Sequence, residues 1–289
     1  MITCAYCKSS ILFGHYVTEK VISLDHFVWN VDPVMVSIFG LKIHWYGVLF
    51  ALAITAGFQV MKSVYEREDK PVESLDSLLM YAVVGIIVGA RLFHVVFYDP
   101  DYYWANPGQI IAVWNGGLAS HGGGLGVILA VYFYTKRYKI NFMWLLDRLA
   151  IATALFGFFV RTGNFFNSEI LGTPSNLPWA VIFERVDMIP RHPVMLYEGF
   201  SYLAIFVLLF ALYRKTDIGK YKGLLLGWFL VLVMTVRFLL EFIKVHQADY
   251  STDMVLNTGQ LLSIPFIIAG IILVIRGQKS RRLARESQI

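Results

Sequence analysis

Apolar residues fall along this chain in long uninterrupted blocks, not in the alternation of a half-buried strand or the one-sided stripe of a surface helix. Blocks long enough to cross a bilayer as helices of about 20 residues lie near residues 41–63, 75–98, 117–136, 142–161, 194–213, 223–244 and 259–276. The pattern predicts an all-α membrane protein of seven transmembrane helices, with its two ends on opposite sides. Residues 1–40 hold only short apolar clusters, Ile11-Leu12-Phe13, Phe27-Val28-Trp29 and Val34-Met35-Val36, broken by Asp25, Asp32 and Pro33. They read as an interfacial arm. The longest connection runs from about Gly163 to Pro193, contains Pro174, Pro178 and Pro190, and includes an alternating stretch, Trp179 to Arg185, that predicts a short strand. Connections of that length tend to carry function.

Composition agrees with the pattern: 57% of the 289 residues are hydrophobic and 16% are charged, too little polar surface to dissolve as a globule. The formal net charge of +5 does not form a nucleic-acid patch, because the basic residues sit in short loops and a tail. One set of span ends carries Lys62, Arg67 and Lys70; Lys136, Arg137 and Lys139; Arg214, Lys215, Lys220 and Lys222; and Arg276, Lys279, Arg281, Arg282 and Arg285. The stretch from Tyr98 to Asn115 has no Lys or Arg and holds Asp99 and Asp101. Positive residues stay in the cytoplasm. The expected layout is therefore an outer N-terminal arm over 1–40, a seven-span domain over 41–276 with an extracytoplasmic head at 162–193, and a basic cytoplasmic tail over 277–289. Cys4 and Cys7 are the only cysteines, and with His15 and His26 they match no standard zinc spacing, so neither metal nor disulfide is expected. Residues 1–30 lack the pattern of a secretory signal peptide.

Charged groups inside spans are costly and mark candidate sites. Here they are Arg91, His121, Arg161, Glu198, Arg237 and Glu241, all on the expected outer half. Arg237 and Glu241 are four apart on one face, which predicts an internal ion pair. Three arginines in the set outrun what such pairing explains, and an anionic ligand accounts for them more economically. Arg161-Thr162-Gly163-Asn164 reads in two ways, as a helix end whose last carbonyls Arg161 caps and whose turn needs Gly163, or as a phosphate cradle. The glycine-rich run Asn115 to Gly124 has no Gly-Lys-Ser/Thr ending, so it is not an NTPase phosphate loop. Its His121 either hydrogen-bonds a neighbour or takes a proton from a nucleophile near neutral pH. Ser120 lacks the Gly-x-Ser-x-Gly elbow of a hydrolase.

Several separated motifs, in order, resemble the prolipoprotein diacylglyceryl transferase family. They are His44-Trp45-Tyr46-Gly47, Gly117 to Gly123 with His121, Arg161 to Gly172 with Asn164, Asn167 and Glu169, His192-Pro193 with Tyr197-Glu198, Arg237-Phe238 with Glu241-Phe242, and Gly259 to Pro265. Val160 stands where the signature usually has glycine, and Cys4 and Cys7 fall outside the resemblance. The resemblance implies an enzyme of the bacterial inner membrane with seven spans and a small periplasmic head. It implies transfer of the diacylglyceryl group of phosphatidylglycerol to the lipobox cysteine of a prolipoprotein, with no cofactor. Carried over by position, it makes Arg161, Arg237 and His121 catalytic. Tyr46, Asn164, Asn167, Glu169, Gly172, Glu198, Glu241 and Arg91 would bind substrate, with Glu241 positioning Arg237. The competing reading is a seven-span binder or carrier of an anionic solute or lipid. Such a carrier needs access from both faces, whereas every polar candidate here lies on one.

Overall fold

A helix pairs all of its backbone polar groups within one segment, so uninterrupted apolar runs settle as helices. A computed structural model describes residues 26–117, 119–245 and 256–287. In chain order these form β1 (Phe27–Trp29), β2 (Val34–Ile38), β3 (Leu41–His44), α1 (Trp45–Arg67), α2 (Ser74–Phe97), the short α3 (Pro100–Ala105), α4 (Ser120–Arg137) and α5 (Phe142–Asn167). Then come β4 (Val181–Phe183), β5 (Pro190–Arg191), α6 (Val194–Lys215), α7 (Leu224–Leu240) and α8 (Thr258–Glu286).

Six of the described helices, α1, α2, α5, α6, α7 with the turn after it, and α8, are long and apolar enough to cross a membrane. The expected third span is the exception. Its helix, α4, has 18 residues, opens on Ser120-His121-Gly122-Gly123-Gly124 and closes on Lys136-Arg137, so its apolar stretch is short. It is held by close approach to α2. A side chain on Gly126 would lie 1.9 Å from the carbonyl oxygen of Gly85, and one on Gly89 would lie 2.3 Å from that of Gly122. Both helices thus present a Gly-x-x-x-Gly face, the spacing that lets apolar helices touch backbone to backbone. Gly227 of α7 and Gly270 of α8 approach in the same way.

One end of the bundle is closed by a small sheet in the order β1-β4-β5, with β1 parallel to β4 and β4 antiparallel to β5. The expected strand within Trp179–Arg185 is β4, and the arm supplies its neighbour. Trp29 packs on Phe165 at 4.3 Å and donates its indole N–H to the Phe165 carbonyl at 3.1 Å, fixing the sheet to the end of α5. The clasp of Asp187 by Arg191 steadies the turn between β4 and β5, and hydrogen bonds from that guanidinium hold the Asp187 carboxyl below its ordinary range. The first part of the expected arm, with Cys4 and Cys7, lies outside the described residues.

The opposite end holds a polar cluster not anticipated from the sequence. Arg148 of α5 meets Glu68, just past α1, at 2.9 Å, and Glu68 also accepts from Trp144 at 2.6 Å and Tyr213 at 2.8 Å. Neighbouring Asp147, wholly buried, accepts from the backbone N–H groups of Gly223 at 2.6 Å and Leu226 at 2.8 Å. It thereby pairs free donors at the start of α7. Every one of these groups is satisfied within the protein, so the cluster ties α1, α5, α6 and α7 together and offers nothing to a ligand.

Two outcomes follow for thermal unfolding in detergent. Gly126→Leu forces α2 and α4 apart and lowers stability by about 3 kcal/mol, whereas Gly124→Ala, where a side chain meets nothing within 4 Å, leaves it unchanged. Glu68→Ala leaves the buried Arg148 with only Asp147, 3.9 Å away, as a counter-charge and costs about 3 kcal/mol.

Candidate functional site

The signature segment is helical for longer than its polarity suggests. Expected to end at residue 161, α5 runs to Asn167 and turns at Ser168, whose φ is 55°. Gly163 is thus inside the helix, not in the turn. Its missing side chain admits the ring of Tyr46 from α1, which a Cβ would meet at 2.8 Å. Arg161 and Asn164 stand three apart on one face, and the guanidinium donates to the Asn164 side-chain oxygen at 3.2 Å.

Beyond the helix, Ile170 also has a positive φ, 60°, a position that disfavours a β-branched residue by about 1–2 kcal/mol. The double reversal folds Glu169 back onto the helix end. Its carboxylate accepts from Asn164 at 3.1 Å and from Asn167 at 3.0 Å. The Asn164 amide is therefore fixed in both senses, its oxygen toward Arg161 and its nitrogen toward Glu169.

Glu198, in the second turn of α6, is wholly buried and pairs with the Nε of Arg161. Its other oxygen faces Lys244 at 3.7 Å. Lys244, only 5% exposed, also lies 3.5 Å from Glu241. It was missed in the sequence, where a lysine at a span end reads as an interfacial anchor. Its spacing three residues after Glu241 was the available signal. The loop after α5 carries it inward: Thr173 donates to the Ile243 carbonyl at 2.9 Å and Val245 to that of Leu171 at 3.0 Å. Gly172 bridges Lys244 at this point, and a side chain there would lie 2.5 Å from the His192 carbonyl oxygen. Space is what Gly172 contributes.

The expected Arg237–Glu241 pair is absent. The helical spacing itself persists, since the Glu241 backbone N–H still donates to the Arg237 carbonyl, so the pair is lost at the side chains. Glu241 turns to Lys244 and lies across the first turn of α8, in space left by Gly259, where a Cβ would be 2.7 Å from its carboxyl carbon. That turn is closed by a reciprocal cap between Asn257 and Gln260. Arg237 is half-buried and makes no ion pair among the described residues. Both it and Arg161 act electrostatically on the Tyr202 hydroxyl.

Arg91 is placed differently. Its five N–H donors go to the carbonyl oxygens of Gln109, Ile110, Ala112, Gly116 and Gly117, and its guanidinium lies 4.9 Å from the centre of the Tyr103 ring. No donor remains for a phosphate. Its work in this structure is to hold the loop that leads into α4. His121 stands in the first turn of α4, a helix packed mainly on α2, and its side chain lies outside the described part of the structure.

Apolar helices that enclose buried ion pairs and, in Arg237, a cation without an ion pair among the described residues define a polytopic membrane protein with a charged site at one end. Comparison with known sequences narrows the class. The pattern described as prolipoprotein diacylglyceryl transferase matches residues 33–276, and the chain belongs to that family. It is 49% identical over 254 residues to the phosphatidylglycerol--prolipoprotein diacylglyceryl transferase of Tolumonas auensis, covering 88% of this chain and 98% of that one. It is 48% identical over 264 residues to the protein so named in Chloroherpeton thalassium (91% and 98% covered). To that of Porphyromonas gingivalis it is 45% identical over 268 residues (87% and 95% covered).

The contrast between saturated and unsaturated arginines sets an expected outcome. Arg91→Ala lowers the thermal midpoint by loosening residues 109–117 but leaves the affinity for an anionic phospholipid within about twofold, because all of its donors already face carbonyls. Arg237→Ala weakens that affinity about tenfold or more, the scale of a lost charge-assisted contact, with the midpoint unchanged.

Proposed function

We propose that the protein transfers the diacylglyceryl group of phosphatidylglycerol to the lipobox cysteine thiol of a prolipoprotein in the bacterial inner membrane. The observation that carries this reading is Arg237, a half-buried cation without a carboxylate partner among the described residues, beside an Arg161 held rigid by Glu198 and Asn164. Such an arrangement suits one added negative charge. In this reading α4 is the seventh span, the sheet β1-β4-β5 and its loops form a periplasmic head, residues 1–40 an arm on the same side, and the basic tail is cytoplasmic.

The lipid phosphodiester sits against Arg161 and Arg237. Tyr46, Asn164, Asn167 and Glu169 orient the glycerol headgroup, while Glu198 positions Arg161 and Lys244 draws Glu241 away from Arg237. The thiolate sulfur attacks the diacylglyceryl carbon that bears the phosphate. A C–S bond forms, the C–O bond breaks, and its electron pair leaves on the phosphate oxygen as glycerol phosphate, which gains one negative charge. Cations placed before the reaction stabilise that growing charge without reorganising, and such stabilisation often dominates a rate enhancement. The thiol proton goes to His121. A thiol of ordinary pKa about 8.5 beside several cations also ionises more readily.

The direct test is transfer of labelled diacylglycerol from phosphatidylglycerol to a synthetic lipobox peptide by the purified protein. Thioether product is expected, with kcat reduced about 10²–10³-fold in Arg161→Ala and Arg237→Ala; Arg237→Ala retains the wild-type melting profile, whereas Arg161→Ala takes one partner from the buried Glu198 and melts earlier. Saturable lipid binding without product from well-folded protein would make the chain a lipid binder instead. For His121→Ala, the rate deficit is expected to shrink as pH approaches about 8.5, where the thiol ionises unaided. A deficit that does not change with pH removes His121 from the proton transfer.

A further inference from the structure

The β2–β3 hairpin carries at its tip a residue that its turn disfavours. Phe39 and Gly40 form the two-residue loop between the paired Ile38 and Leu41, and both have positive φ, 49° and 82°. Loops of this kind are built from Asn, Asp or Gly, because a Cβ crowds the backbone in the left-handed region. Gly40 meets no such crowding. Phe39 does, and its ring gains nothing from the fold in return, being fully exposed. A strained aromatic without intramolecular packing points to a contact outside the chain.

The register extends the argument. Ile38 stands opposite Leu41, and Val36 opposite Ile43. Direct partners share a face and every second residue repeats it, so these four make one apolar face. Between them Ser37 pairs with Lys42 on the other face. The hairpin is therefore amphipathic, with an apolar side, an apolar tip and a cation on its polar side. Its base closes directly on the bundle: Trp45, the first residue of α1, donates its N–H to the Pro33 carbonyl at 2.9 Å. The helix on which it closes, α1, exposes Phe50 and Leu52 and is long and apolar enough to cross a membrane.

We propose that this hairpin dips into the lipid leaflet at the sheet-bearing end of the bundle, with Ile38, Phe39 and Leu41 among the upper acyl chains and Lys42 reaching the headgroup phosphates. A convex tip suits a fluid better than a defined partner, since peptides are taken up in grooves or along sheet edges. The hairpin then fixes the depth of the first turn of α1, and with it Tyr46 over Gly163. The inference rests on the chain spanning a membrane, not on the transfer reaction.

The test is depth, read independently of activity. Full-length protein with Cys4→Ser and Cys7→Ser carries an environment-sensitive fluorophore on Phe39→Cys, or for comparison on Glu184→Cys, an exposed position beside β4, in nanodiscs containing phosphatidylglycerol. Acyl chains brominated near the headgroup are expected to quench the reporter at 39 about threefold more than that at 184, and aqueous iodide to quench it less, as for a side chain buried at the headgroup boundary. With the reporter moved to Leu41→Cys, Phe39→Asn is expected to keep the turn and reduce bromolipid quenching. Equal iodide access at 39 and 184, with no response to brominated lipid, overturns the proposal. So does shielding that arises only when a lipobox peptide is added, which would make the hairpin a peptide-docking surface.

Discussion

Glu198 is the group on which the site's geometry depends. Removing a carboxylate from water is prohibitively costly unless it is paired, and this one has a cation at each oxygen. Arg161 comes from α5 and Lys244 from the segment after α7, while Glu198 belongs to α6. The three can pack together only with both pairs made, so one buried anion sets the register of two helices and a connecting strand. Lys244 is in turn bridged to Gly172, which ties the same anion to the loop beneath the sheet. The pairing has a second effect. By drawing Glu241 to itself, Lys244 leaves Arg237 without the partner its own helix would have supplied.

How much of this was legible varied with the kind of constraint. Apolar runs, loop lengths and the short strand after Trp179 could be read, because they follow from local periodicity and length. The end of α5 could not. Arg161 to Asn167 is polar and contains glycine, which by propensity favours a stop, but Gly163 is used to seat Tyr46 and Asn164 to join Arg161 to Glu169, and that packing carries the helix on. The expected third span was read from its apolar centre, yet α4 relies on glycine contacts with α2 that hydropathy does not register. The acid, base and aromatic cluster at the opposite end was missed for a related reason: Glu68, Trp144, Arg148 and Tyr213 are far apart in sequence and meet only when three helix ends converge.

The buried arginines show why residue type alone does not mark a site. Arg148 is paired with Glu68 and donates to the Gly219 carbonyl at 2.7 Å, and Arg91 spends all five donors on carbonyls. Both are as buried as any ligand-binding cation would be, and both serve the fold. Burial makes a charge costly, but saturation of its donors decides what it is for. Saturation depends on carbonyls and carboxylates brought from elsewhere in the chain, so it is a tertiary property.

The same criterion separates Arg161 from Arg237, both of which act electrostatically on the Tyr202 hydroxyl. Arg161 is oriented by Glu198 and Asn164, whereas Arg237 has no counter-charge among the described residues. A site with both fixed toward an anion by carboxylates would bind weakly, because the anion would meet neutralised pairs. One with neither fixed would have to order two flexible side chains on binding, at a cost of about 0.5–1.5 kcal/mol for each. Pairing one and leaving the other without a carboxylate supplies both preorganisation and a local positive charge at Arg237. In the proposed reaction the leaving phosphate gains its second charge beside that pair. The step is favoured because Glu198, through Lys244, keeps Glu241 away from Arg237 before any lipid arrives.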